Sequence, residues 1–585
     1  MDQPERAPAG SAVRTEKPSR RNFVAAATAA AAIPLRPILE PRQSTAEAGI
    51  APFNGATRMD ASFDYRMSMA RSERIEMRTQ PGNDDARRFS DFSGNFTKAL
   101  RHDALGVPNK AAVESLINAL QAGDFSDFER IILGTPGGGP NSKLNGPQGA
   151  LAFDLEGMDS HVTQIPAAPS VASAQTAAEA VEHYWGALLR DVPFAEYDTN
   201  PLAAQAVADM NKLSFLQSAA NREWPYPVTP QNLFRGQFVI GDGDIQGPYV
   251  SQFLFQPAFL GVLPLNQQYQ TLLPANNGGS DFMTSVDEFQ LIQSGGDSGR
   301  KLAYDPTLRF IRSGRDLAAY PRVDVLYQAY FIAALVLSTI NAPPNPGNPY
   351  NTSRTQKGFG TLGGPDAVGT LAEMATRALK AAWFHKWMKD LRLRPEEYGA
   401  LVQANLTNAT PMPQAAVVLH RDVLNSAALA IVHSQYGTFL LPQTYPEGSP
   451  THPCYPTGHG TVAGACITAI KFFFDGTQKI RPLLRAAGHD VVVASRDGLA
   501  LVPYTGPDRD ALDVNGELAK LAYNISFGHG IHAGIHFRSS TYWSILLGEQ
   551  VALSVLRDRA QSYSEPFEIT ITKFDGTPAT ISNKN

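Results

Sequence analysis

The sequence predicts a mainly α-helical protein with small β additions. Two observations carry that reading. Apolar residues recur at three- and four-residue spacing through several long stretches, the signature of helices with one buried face. Alternation with a period of two is clearest at the end of the chain, where it suggests a single hairpin. Gly (48) and Pro (43) are plentiful among the 585 residues, so long ordered loops join the helices.

In chain order, residues 1–45 read as an export signal and linker. Ser19-Arg20-Arg21-Asn22-Phe23 precedes an alanine-rich run from Val24 to Ile33. Paired arginines before a short, mildly apolar stretch fit a twin-arginine signal, and the run is too short to span a bilayer. From Phe53 to about Arg101 the pattern is irregular and polar, so residues 46–110 are expected to form an extended arm. Residues 111–585 form one large helical domain, with the chemistry expected between 380 and 560. Helices are expected at Asn109–Ala122, Ala174–Arg190, Val325–Ile340, Val368–Leu391, Ala415–Gly437, Leu512–His536 and Thr541–Arg559, with Gly528 to Gly534 interrupting the sixth. Residues 230–300 suit a few short strands. Glu565 to Ser582 alternates like a hairpin turning at Asp575-Gly576. The Gly137-Gly138-Gly139 loop lacks the Lys-Ser/Thr of a phosphate-cradling loop and reads as a turn.

The net charge of −5, with no basic stripe, argues against a nucleic-acid partner. The two cysteines, Cys454 and Cys466, are separated by a predicted helix start and are expected to be free thiols.

The stretch His452-Pro453-Cys454-Tyr455-Pro456-Thr457-Gly458-His459 runs from a loop into a small, apolar helix, with Thr457 or Gly458 near the N-cap. A helix N-terminus presents unpaired N–H groups and the positive end of the dipole, so it suits an anion. Lys386 and Arg394 lie eight apart on a segment that also holds Trp383, Phe384 and Trp387. A charge run is usually a solvated face, but a basic pair on so apolar a segment calls for a buried anion. His529, His532 and His536, spaced three and then four, would share one face of a continuous helix. Such a pair can chelate a metal, yet no Cys-rich or HExxH pattern points to zinc. No G-x-S-x-G elbow supports a serine hydrolase.

Taken together these residues resemble the vanadium-dependent haloperoxidases, in the superfamily shared with type 2 phosphatidic acid phosphatases. The superfamily pattern of Lys, Arg-Pro, P-S/T-G-H and a final His reads here Lys386, Arg394-Pro395, Pro456-Thr457-Gly458-His459 and His536. The bromoperoxidase branch is the nearer likeness. Trp383 stands three before the Lys, and His452 seven before His459. Gly314–Ala318, Val323–Phe331, Pro346–Tyr350, Gly358–Pro365 and Phe153–Gly157 also look like that branch.

The resemblance implies a vanadate cofactor bound axially through His536, the metal ligand. Lys386, Arg394, Thr457 and Gly458 would hold its oxygens, His459 would meet the apical one, and His452, His459 and Lys386 would be catalytic. Implied reactants are hydrogen peroxide, a halide (bromide first) and an organic substrate. A homo-oligomer exchanging the N-terminal arm is also implied. The sequence departs from the family twice. Gly530 stands where a second arginine is usual, in a segment one residue longer, so His529 or His532 would have to replace that charge by protonation. Ser540 stands at a usual Asp. Two alternatives use the same residues. One is a vanadate-independent acid/base rearrangement of an α-hydroxyketone. The other is an acid phosphatase with His536 as nucleophile and His459 as general acid.

Overall fold

The computed structural model of the protein describes residues 55–75, 82–102, 107–135, 142–238, 245–407 and 417–584. The export-signal segment and the Gly137–Gly139 triplet lie outside them. The chain divides into two units, residues 1–68 and 69–585. The longer helices are α1 (Gly55–Ile75), α2 (Lys110–Ala122), α3 (Ala174–Leu189), α4 (Gln328–Thr339), α5 (Gly364–His385), α6 (Pro395–Thr407), α7 (Ala427–Tyr436), α8 (Gly458–Phe473), α9 (Val514–Phe527) and α10 (Arg538–Ser562). Side chains cap several where the sequence supplies the oxygen. Asn109, Ser173, Thr457 and Asp513 accept from the N–H groups of Ala112, Thr176, Gly460 and Gly516. None of the described helices is long and apolar enough to cross a membrane.

The core of the second unit is built around α8, which is buried at every residue from Gly458 to Phe473. A helix that is apolar and small on all sides belongs in the middle of a bundle. It packs most closely on α10 and α5. Glycines set that closeness. A methyl placed on Gly464 would overlap the Ile545 carbonyl, one on Gly460 the Ser544 hydroxyl, and one on Gly548 the Thr461 carbonyl. The two backbones therefore interlock, and the N-terminus of α8 is fixed against the start of α10.

Among the described residues the strands form four antiparallel pairs. They are β1 (Ala258–Leu260) with β2 (Leu263–Leu265), β3 (Tyr269–Leu272) with β4 (Tyr304–Arg309), β5 (Val492–Ala494) with β6 (Leu501–Pro503), and β7 (Glu568–Thr572) with β8 (Pro578–Ser582). The last is the expected C-terminal hairpin. Its register runs from Glu568 opposite Ser582 to Thr572 opposite Pro578, and Gly576 turns at φ 80°.

Three expectations are corrected. The arm is not extended throughout, because residues 55–75 are α1. Its Ala, Met, Arg and Glu residues favour helix without forming an apolar stripe, so periodicity missed it. The helix expected over Ala415–Gly437 is instead two pieces, Arg421–Leu424 and α7, broken where Ser426 caps the second. Helix α6, directly after Arg394, was not foreseen.

The α8–α10 interlock predicts that Gly464→Leu costs about 3 kcal/mol or more in urea unfolding, because overpacking there meets backbone.

Candidate active site

Two wide turns aim the site. Helix α5 ends in a π-helical turn, Lys386–Asp390, and Leu391 at φ 41° reverses the chain. Helix α9 ends in another, Gly528–His532. A π turn takes in one extra residue without shifting the helix that precedes it. The second turn lies in the segment that leads to His536.

Lys386 and Arg394 are completely buried. The Lys386 Nζ donates to the carbonyls of Pro453 (2.6 Å) and Cys454 (3.3 Å). Arg394 ties three parts of the chain together. Its Nε donates to the His452 carbonyl at 2.7 Å, and its Nη2 to His452 Nδ1 at 2.8 Å. Its Nη1 donates to the Ile535 carbonyl at 2.9 Å and lies against the His536 ring, 3.0 Å from Nε2 and 3.4 Å from Nδ1. Neither side chain forms an ion pair with a carboxylate among the described residues. Burial, with each cation beside the other, pushes the Lys386 ammonium well below its usual range, and burial lowers the Arg394 guanidinium too.

Four imidazoles line the same place. His459 and His529 lie ring to ring at 4.1 Å, His529 and His536 at 6.0 Å, and His452 and His536 at 6.2 Å. The Trp383 ring lies 4.8 Å from His452. Burial first, then the neighbouring cations, holds His452 and His536 well below the ordinary histidine range. For His529 burial is followed by His459 and then by Arg394 and Lys386. The Nδ1 of His529 is buried and has no hydrogen-bond partner among the described atoms. His459 Nε2 meets Asp324 at 3.0 and 3.2 Å. Thr457 caps α8: its Oγ1 accepts from Gly460 N–H and lies 2.9 Å from Ser544 Oγ. Its hydroxyl is thereby engaged, leaving the N–H groups at the start of α8, with Gly458 first, as the anion-facing part of that turn.

Lys386, Arg394, His452, Gly458, His459, His529 and His536 therefore converge, with Thr457 behind them. His532 does not. The π turn breaks the expected single face and sends its ring to Phe234 and to the Tyr249 hydroxyl, 3.2 Å from Nε2. Burial holds His532 at about 3. Arg392, two residues before Arg394, is buried on Glu179 (2.7 Å) and on Ser539 and Ser540. Asp324 was missed as a site residue. It lies 135 positions from His459 and no spacing links the two.

Among the described residues no cluster of three or more His, Cys, Asp or Glu could hold a bare metal ion. Two uncompensated cations, a helix N-terminus, an orphaned imidazole nitrogen and one lone pair on His536 make instead a donor set for an oxyanion with an axial nitrogen. The vanadium-dependent bromoperoxidase of Corallina officinalis is 31% identical, the match covering 91% of this chain and all of that protein. The chain belongs to the vanadium-dependent bromoperoxidase family. The family member from Ascophyllum nodosum is 30% identical over 91% of this chain and 94% of its own. The homohexameric second vanadate-dependent bromoperoxidase of Ascophyllum nodosum superposes with a TM-score of 0.81 at 27% identity, covering 95% of both chains. No family model matches the sequence. Against the family pattern, Gly530 has little room for a side chain, since a methyl there would stand 3.1 Å from the His536 carbonyl. His529 occupies the space beside His459 instead.

The unpaired charge predicts that Lys386→Met raises the stability of the vanadate-free protein by about 1 kcal/mol or more and abolishes phosphate binding. An anion restores the depressed ammonium, so above that lowered value phosphate binding to the unsubstituted protein takes up protons. Calorimetry in buffers of different ionisation enthalpy reads this uptake, which Lys386→Met removes.

Proposed function

We propose that the chain is a vanadium-dependent haloperoxidase that oxidises halide, bromide first, with hydrogen peroxide. The observation that carries this reading is the pair of buried cations without carboxylate partners, facing the Nε2 lone pair of His536. His536 would ligate vanadium. Lys386, Arg394, the Gly458 N–H and His529 would hold the oxygens by hydrogen bonds strengthened by charge and burial. When bound, vanadate supplies the Lewis acidity that activates hydrogen peroxide. The balance is halide plus hydrogen peroxide plus one proton, giving hypohalous acid and water.

The chain's own residues move the protons. Asp324 accepts from His459 Nε2–H, which leaves Nδ1 as the basic nitrogen. His459 can then take a proton from hydrogen peroxide and return it to the departing oxygen. His452 is held between the Arg394 guanidinium and the Pro453 carbonyl, 2.8 and 3.2 Å from Nδ1. The Trp383 ring against His452 gives the halide an apolar, polarisable neighbour. Burial of Lys386, Arg394, His452, His459, His529 and His536 keeps water from competing. The homohexameric relative supports a homo-oligomer here too.

The test is bromination of a phenolic dye precursor by vanadate-loaded protein with hydrogen peroxide and bromide. Turnover is expected to require vanadate and to fall at least a thousandfold in His536→Ala. Activity on a phosphate ester that vanadate blocks, or turnover of an α-hydroxyketone without vanadate, in a protein inert to bromide would overturn the proposal. Light scattering is expected to give a mass that is a multiple of 63.2 kDa.

A further inference from the structure

The proton on His536 can be located from its neighbours. A guanidinium only donates, and Arg394 Nη1 lies 3.0 Å from Nε2, closer than its 3.4 Å to Nδ1. Near both nitrogens at once, Arg394 lies against the ring face and leaves the Nε2 lone pair free, and a ring that offers Nε2 to vanadium carries its proton on Nδ1. That nitrogen faces Cys454 Sγ at 3.4 Å. The same sulfur lies 3.4 Å from Ser540 Oγ, and Ser540 is held by Arg392 at 3.2 Å. Arg392 in turn is fixed by Glu179 at 2.7 Å. No carboxylate hydrogen-bonds to His536 among the described residues.

We propose that Cys454 is the positioning residue for His536, a step that rests on His536 being the vanadium ligand. The sulfur accepts the Nδ1–H hydrogen bond, and its own S–H donates to Ser540. The chain Glu179, Arg392, Ser540, Cys454 locks the plane of the imidazole so that Nε2 points at the oxyanion. A thiol is a softer and weaker acceptor than a carboxylate, so the ring it holds is a less basic ligand than one backed by an acid. The carbonyl of the same residue binds Lys386, so one residue sets both a cation and the axial nitrogen.

Cys466 is the internal control. It is buried in α8 with its sulfur on the Leu371 carbonyl at 3.5 Å, away from every group above. Vanadate affinity by calorimetry and the vanadium-51 resonance of the bound form are compared in wild type, Cys454→Ala, Cys454→Ser and Cys466→Ser. Cys454→Ala is expected to weaken vanadate 10- to 100-fold and to move the resonance. The serine hydroxyl is expected to restore affinity to within about threefold while shifting the resonance, and Cys466→Ser to match wild type. Alanine and wild type behaving alike would overturn the proposal, as would serine failing as badly as alanine. If the alanine variant does not fold, an unshifted resonance in the serine variant overturns it. Wild type that binds no vanadate would sink the haloperoxidase reading, and this proposal with it.

Discussion

Two basic side chains sealed inside the protein without an ion-paired carboxylate are the condition around which the rest is arranged. Lys386 and Arg394 are held by carbonyls and imidazoles alone. Several interior arginines elsewhere are neutralised by carboxylates: Arg392 on Glu179, Arg538 on Glu182 and Arg315 on Asp191 and Asp281. The contrast sets the site apart. Desolvating a cation without a counter-charge is costly, and an energetic debt left in one place points to an anion brought from outside.

Holding that arrangement needs a rigid frame. The interlocked glycines of α8 and α10 fix the helix N-terminus relative to the start of α10, two residues of chain after His536. Arg394 then bridges the loop before α8 to the loop before α10. The cradle is therefore made of three distant chain segments tied by one guanidinium. Asp324 adds a fourth at His459.

Local chemistry was legible in the sequence where it is written in adjacent residues. The N-cap at Thr457, the buried small-residue helix behind it, the C-terminal hairpin and the free cysteines all followed from short patterns. Lys386, Arg394, His452, His459 and His536 were legible because residue type, spacing and family pattern agreed. What stayed hidden depends on tertiary pairing or on irregular helix. Asp324 and Glu179 act across long stretches of chain. His532 looked equivalent to its neighbours only on a continuous α-helix. Helix α1 stabilises itself by propensity, and a search for an apolar stripe does not see it.

The wide turn at Gly528–His532 has a consequence for how such a centre can change. An ordinary insertion in a helix rotates everything after it by about 100°, which would carry the axial ligand away from its target. A π turn takes up a residue within a single loop of backbone, and at Gly528–His532 it parts His529, beside His459, from His532, beside Tyr249. A change of side chain at 529 therefore alters what stands beside His459 without moving His532 from the packed core around Phe234 and Tyr249.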